Sequence, residues 1–293
     1  MKLVMAPMLT ITDAKFRNVY NRYFPDFDYA ITPFVSFPDG NNITSKANSF
    51  RDSANYLKAW GYGELNLNLA CPAKTVVNKG RGASYLNQPD NVDRVLNDIF
   101  TNVDNEVSIK IRSGRYSFDE FSALAKVLNK YPLKNITLHA RTAVQGYTGK
   151  VNLDSFAEAT DSLKGDLIFS GDINHLETYK MLEEKFPSVS SWMIGRGFLA
   201  NPFLPRIIKD GSYDCVNKER LIKWHRELFD IFFAYGYSQF YVLGRMKNSW
   251  KYLSRSFSEG EEFLKSILPC LDADEFIQMT ERFLVEKEFR VDL

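Results

Sequence analysis

Short β-rich runs recur along the first two thirds of this chain, and six of the seven end in residues with distinctive chemistry. Strands are read at Leu3–Met8, Tyr29–Pro33, Glu64–Ala70, Val107–Arg112, Asn135–Ala140, Asp166–Gly171 and Trp192–Gly195. Amphipathic segments separate them. Thr12 can cap a helix with Phe16, Val19, Tyr20 and Tyr23 on one face. Val92, Val95, Leu96 and Ile99 repeat the pattern, as do Phe121, Leu124, Ala125 and Leu128. This alternation predicts βα units on a parallel sheet. The strand ends read APM, NLACP, KIRSG, LHART, FSGD and GRG. A (β/α)8 TIM barrel gathers such ends on one face, where active sites are built, so the expected fold class is an α/β barrel.

A barrel needs eight strands, and seven are visible. Starts at 107, 135, 166 and 191 lie 28, 31 and 25 residues apart, close to the roughly 31 that ~250 residues in eight units imply. Tyr29 and Glu64 are only 35 residues apart, where two units need about twice one spacing. Between them Pro38–Lys46 is polar and turn-like. Either the third strand, around 36–48, is irregular, or residues of that unit are missing from the chain; the spacing favours the second. After Pro205 the alternation stops and Asp210–Cys215 forms a polar link. Leu221, Trp224, Leu228, Phe232 and Tyr235 keep helical spacing, and Gln239–Phe257, Glu261–Leu268 and Asp274–Phe289 also read as helices. The expected organisation is a catalytic barrel over 1–205 and an all-helical C-terminal domain over 215–293.

Composition narrows the class. With 45% hydrophobic and 25% charged residues, the chain can bury a core, which excludes disorder. No apolar run approaches the ~18 residues of a membrane span, and the N-terminus lacks a secretory pattern. Three cysteines without a CxxC pair suggest reduced thiols and a cytoplasmic setting. With 37 basic residues against 36 acidic ones, any nucleic acid must meet a local patch rather than a global field.

Several residues carry candidate chemistry. Cys71 follows a strand and precedes Pro72 and the Gly80-Arg81-Gly82 loop; it reads either as a buried structural thiol or as a group at the catalytic face. Lys110 sits in VSIKIRS where a hydrophobe is expected; it either snorkels or points into the barrel mouth. His139 occupies a similar place on the next strand, and a cation beside an imidazole suits an anionic ring or phosphate. Ser170-Gly171-Asp172 and Gly195-Arg196-Gly197 end the last two strands, where barrels cradle phosphates. Lys247, Lys251 and Arg255 are four apart, with Arg245, Trp250 and Tyr252 interleaved. They form either a solvated face or a stripe for a nucleic-acid phosphate backbone. No zinc-ligand spacing appears, so no metal is expected.

Together, APM, LNLNLACPAKTVVNKGRGA, SIKIRSG, LHARTAVQGYTG, SGD and GRG resemble the tRNA-dihydrouridine synthase family in order and spacing. The resemblance covers roughly residues 1–205, with the helical tail fitting that family's RNA-binding domain more loosely. It implies an FMN-dependent barrel that reduces uridine in tRNA, with NADPH recharging the flavin. Hydride would pass from flavin N5 to C6, and Cys71 would give the proton to C5 as general acid. It implies that Pro7, Met8, Lys110, His139, Ser170, Gly171, Asp172, Gly195 and Arg196 bind FMN. Asn68, Arg141, Arg245, Lys247 and Lys251 would meet the tRNA, whose uridine is extruded into the pocket. The expected protein is a monomer with no membrane or metal partner. The family's flavin-contacting glutamine on the third strand has no counterpart here, matching the short second spacing. Two alternatives stand beside this reading: an FMN barrel oxidoreductase acting on a small pyrimidine or enone, and a non-catalytic RNA-binding relative.

Overall fold

In the computed structural model of the chain, the described residues are 1–33 and 54–291. They contain seven strands: β1 (Lys2–Met5), β2 (Tyr29–Ala30), β3 (Glu64–Asn68), β4 (Glu106–Gly114), β5 (Asn135–Thr142), β6 (Asp166–Ser170) and β7 (Ser191–Ile194). All seven expected strands are present, within a few residues of their anticipated bounds. Pairing is parallel between β1 and β2, and parallel from β3 through β7 in sequence order. The expectation for Pro38–Lys46 falls outside the described residues. The chain divides into two compact units. Among the described residues, one comprises Met1, 54–171 and 186–193; the other comprises 2–33, 172–185 and 194–291.

In the first unit the register sorts side chains onto two faces, because partners in a parallel pair share a face and successive residues alternate. One face is apolar. Leu65 pairs with Val107, Leu67 with Ile109, Ile109 with Ile136, Ile111 with Leu138, Leu138 with Phe169, and Phe169 with Trp192. All of them are buried. The helix Leu153–Ser162 covers part of this face, its start fixed by Asn152, whose Oδ1 accepts from the N–H groups of Asp154 and Ser155 at 3.0 and 2.9 Å. Its Phe156 ring lies 4.8 Å from Phe169 and 4.9 Å from Phe186. Truncating such a buried ring to alanine costs about 3–5 kcal/mol. The helices Pro89–Asn102 and Phe121–Leu128 bury Val92, Leu96 and Ile99, and Phe121, Leu124 and Leu128, as their periodicity predicts.

In the second unit Asp13, rather than Thr12, caps the helix Ala14–Tyr23, accepting from Phe16 N–H at 3.0 Å. Phe16, Tyr20 and Phe24 meet Phe198, Phe203 and Trp224 at ring distances of 5.1 to 6.0 Å. Tyr20 also donates to the Pro202 carbonyl at 2.8 Å. Four further helices follow: Lys218–Ala234, Gln239–Leu253, Gly260–Ile267 and Ala273–Glu286. The expected helix to Phe257 ends at Leu253 and gives way to the tighter turn Ser254–Ser256. Gly260 explains why the chain bends there, since a Cβ would stand 1.7 Å from the Ser254 carbonyl oxygen. Trp250 is fully buried among Phe257, Phe263 and Phe283, and its Nε1 donates to His225 Nε2 at 2.9 Å. Trp250 therefore does not join a surface stripe; it is a core residue. Burial pushes the His225 imidazole down to about 3, so it is neutral and accepts that bond. Among the described residues no helix is long and apolar enough to cross a membrane, and no three His, Cys, Asp or Glu side chains converge as metal ligands.

Candidate active site

The other face of the first unit's sheet is polar and buried. The register aligns Asn66 with Ser108, Asn68 with Lys110, Lys110 with Thr137, Arg112 with His139, and His139 with Ser170. Lys110 and His139 thus share a face, although His139 stands level with Arg112 rather than Lys110. Toward the strand starts this face satisfies itself. Asn66 Nδ2 donates to Ser108 Oγ at 2.8 Å, Ser108 Oγ donates to Glu64 Oε1 at 2.7 Å, and Lys134 ion-pairs with Glu64 at 2.9 Å. Toward the strand ends it turns cationic, with Lys110, Arg112 and Arg141 all buried. Burial, then Arg112, pushes the Lys110 amine down to about 7, with Cys71 pulling the other way. Burial likewise lowers Arg112. Among the described residues no carboxylate pairs with Lys110 or Arg112. Buried cations without counter-charges are costly, and an anionic ligand relieves that cost.

The sequence reading passed over Arg112, which organises the strand ends. Its Nε donates to the Ala70 carbonyl at 2.9 Å, immediately before Cys71. Its Nη1 donates to the carbonyls of Thr142 and Gly146 at 3.0 and 2.7 Å, and Tyr147 lies 5.3 Å from the guanidinium. The signal was present in KIR: two cations two residues apart on one strand share a face. Gln145 holds the same loop, its Oε1 accepting from Thr142 N–H at 2.8 Å. Cys71 itself is half-buried. Ala83 N–H donates to its carbonyl at 3.0 Å, and Gly82 (φ +57°) allows the approach, since a Cβ there would stand 2.8 Å from that oxygen. Asn68 uses its Oδ1 to accept from Ala70 N–H at 3.0 Å.

His139 Nε2 lies 3.2 Å from Arg141 Nη1. A guanidinium only donates, so Nε2 accepts and the imidazole carries its proton on Nδ1. Arg141 also donates to the Gly149 carbonyl. Ser170 is buried, and Gly171 (φ +151°) leaves no room for a side chain: a Cβ would stand 2.6 Å from Val151 Cγ1.

In the second unit Pro7 and Met8 open a tight turn. Met8 N–H donates to Thr12 Oγ1 at 2.8 Å, and the N–H groups of Ile11 and Thr12 both return to the Met8 carbonyl at 3.0 Å. A Cβ on Gly195 would touch Met8 Sδ at 3.5 Å, so this turn lies against Gly195. The Arg196 guanidinium is ion-paired with Asp172, whose φ of 33° is unusual outside glycine. Arg245 departs from expectation. It is buried, pairs with Asp13 at 2.8 Å, donates to the Ile11 carbonyl at 2.9 Å and packs over Phe232. With its donors turned inward, it anchors a helix to the turn after β1 rather than meeting RNA. Lys247 is half-buried and donates to the Cys270 carbonyl, whereas Lys251 is exposed and reaches Asn248 Oδ1 at 2.9 Å.

Comparison with known proteins bears on what these groups serve. The family model described as dihydrouridine synthase matches residues 43–232, more than half of the chain. A tRNA-dihydrouridine synthase B from Pasteurella multocida is 28% identical over 230 residues, spanning 71% of this chain and 69% of that protein. A tRNA-dihydrouridine(16) synthase from Haemophilus influenzae is 25% identical over 312 positions, covering 94% and 97%. Among solved structures, a variant of NCR from Zymomonas mobilis matches at 10% identity and a TM-score of 0.49, over 72% of this chain and 86% of that one.

Proposed function

The chain belongs to the dihydrouridine synthase family, and on that footing we propose that its buried cationic sheet face holds FMN for the reduction of uridine in tRNA. The protein is a flavin-dependent oxidoreductase that converts tRNA uridine to 5,6-dihydrouridine. The strands are read as part of a (β/α)8 barrel over 1–205, with the helices of 215–293 as its tRNA-binding module and the cytoplasm as its place of work. The observation that carries the reading is Lys110, a buried amine with no carboxylate partner among the described residues, on the face that also presents His139 and Ser170.

The residues fit a flavin mononucleotide. Lys110, held near 7 by burial, gains a counter-charge from the electron-rich pyrimidine edge of the ring. His139 and Ser170 stand on the same face, and Gly171 lets the chain pass Val151 directly after Ser170. In the second unit the family correspondence gives flavin contacts to Pro7, Met8, Asp172, Gly195 and Arg196. When bound, FMN recharged by NADPH supplies the hydride for C6 of the uracil. Cys71 holds the proton for C5 on its Sγ, at the end of a strand that Arg112 and Gly82 fix in place. Asn68 and Arg141 orient the base, and Lys247 and Lys251 meet the tRNA backbone.

The test is reconstitution. Protein supplied with FMN and NADPH should convert unmodified tRNA to a product carrying dihydrouridine at a defined position. Flavin binding with reduction of free uracil but not of tRNA would favour a small-molecule oxidoreductase instead. Failure to bind flavin would leave only an RNA-binding relative.

A further inference from the structure

We infer that the solvent-facing side of the helix Gln239–Leu253 is a track for unpaired RNA, with Phe240 as a base-stacking platform and Gly244 as the point where the sugar–phosphate backbone meets the helix. The inference rests on the tRNA reading above and adds which residues meet the RNA and by what chemistry.

At 100° per residue, Phe240, Gly244, Lys247, Asn248 and Lys251 fall on one side of the helix. Phe240 is 83% exposed, the most exposed large hydrophobic side chain among the described residues. One turn on, Gly244 is exposed, and among the described residues a Cβ there would meet nothing within 4 Å. Its φ lies outside the left-handed region, so neither packing nor backbone conformation calls for glycine. Alanine would strengthen the helix. A glycine without an internal reason, on an exposed face, leaves room for something outside to come close. Lys251 continues the face at about 16 Å from Phe240, at 1.5 Å per residue. Asn248 receives its bond from Lys251 and places Nδ2 at 3.5 Å from Thr10 Oγ1, which carries the face onto the turn that begins at Pro7.

The chemistry selects a nucleic acid. Arg245 is spent on Asp13, but the helix also carries Lys247 and Lys251 and no acidic residue, so its outer side complements a polyanion. A protein partner would be met by a continuing apolar face, but Phe240 is followed by glycine, asparagine and lysine. One exposed ring followed by a bare backbone and cations is what single-stranded RNA requires: a stacking surface for a base and donors for phosphates.

The experiment uses the full, flavin-loaded chain and an unmodified tRNA transcript, with affinity measured across a salt series and thermal melting in parallel. Gly244→Ala should melt at or above the wild-type temperature and yet bind tRNA roughly tenfold more weakly, the loss expected from about one strong contact. Phe240→Ala should lose roughly five- to hundredfold in affinity with the salt slope unchanged, because stacking releases no counterions. Lys251→Gln should lower the slope by about 0.7–1. Wild-type affinity in both Gly244→Ala and Phe240→Ala would overturn the track while leaving the enzymatic reading standing. A wild type that forms no complex with tRNA would remove both. Variants that change self-association rather than tRNA affinity would assign the face to a second copy of the chain and also overturn the track.

Discussion

Replacing Lys110 with methionine keeps a long unbranched side chain and removes one buried charge, so it should stabilise the flavin-free protein and abolish its use as an enzyme. The unfolded amine titrates near 10.5 and the folded one near 7, with burial the main cause. Below pH 7 both states hold the proton, and the fold bears the whole cost of the buried ammonium, about 5 kcal/mol from the displacement. Between 7 and 10.5 the unfolded chain binds more protons, so wild-type stability should rise with pH, and above 10.5 the cost is gone. The assay is urea unfolding of the flavin-free protein at pH 6 and pH 9.5. Lys110→Met should exceed wild type by up to about 5 kcal/mol at pH 6 and lose most of that lead at pH 9.5. Parallel movement of the two proteins with pH would refute the argument that this amine is an uncompensated buried charge. Bound flavin should then stabilise wild type strongly and Lys110→Met weakly.

Three further outcomes follow from the geometry. Arg112→Met removes the donors to Ala70, Thr142 and Gly146; leaving those acceptors unpaired should destabilise the chain by about 1–3 kcal/mol per lost bond, visible as a lower urea midpoint. Gly171→Ala places a Cβ 2.6 Å from Val151 Cγ1 at a φ of +151°, and should cost about 1–3 kcal/mol in thermal stability and reduce flavin retention on gel filtration. Changing both Lys247 and Lys251 to Glu should weaken tRNA binding at low salt without bleaching the flavin, and an unchanged dissociation constant would remove these lysines from the interface.

The strand ends were legible from sequence because each interrupts an apolar run with a residue that an apolar core does not need: Lys110 in VSIKIRS and His139 in ITLHART. Pairing then brought Asn68, Lys110, His139 and Ser170 to one face, as the alternation implies. Arg112 was missed because its partners are backbone carbonyls on two other segments, which carry no side-chain signature. Arg245 and Trp250 join Lys247, Lys251, Arg255 and Tyr252 in one charged and aromatic stripe by sequence, because helical spacing cannot tell which face is covered. The fold covers Arg245 with Asp13 and Phe232, and Trp250 with three phenylalanines. Gly244 is silent in the sequence, since a helix-interior glycine becomes informative only when no described residue stands where its Cβ would be.

The most direct test adds unmodified tRNA to anaerobically reduced, flavin-loaded protein and follows flavin reoxidation and dihydrouridine formation together in a single turnover. Wild type should show both at one rate, and Cys71→Ala should keep its flavin while losing at least about a hundredfold in that rate, the scale of a removed general acid. Flavin that tRNA leaves reduced, or a Cys71→Ala protein that turns over as fast as wild type, would contradict the assignment of uridine reduction to this sheet face and of the proton to Cys71.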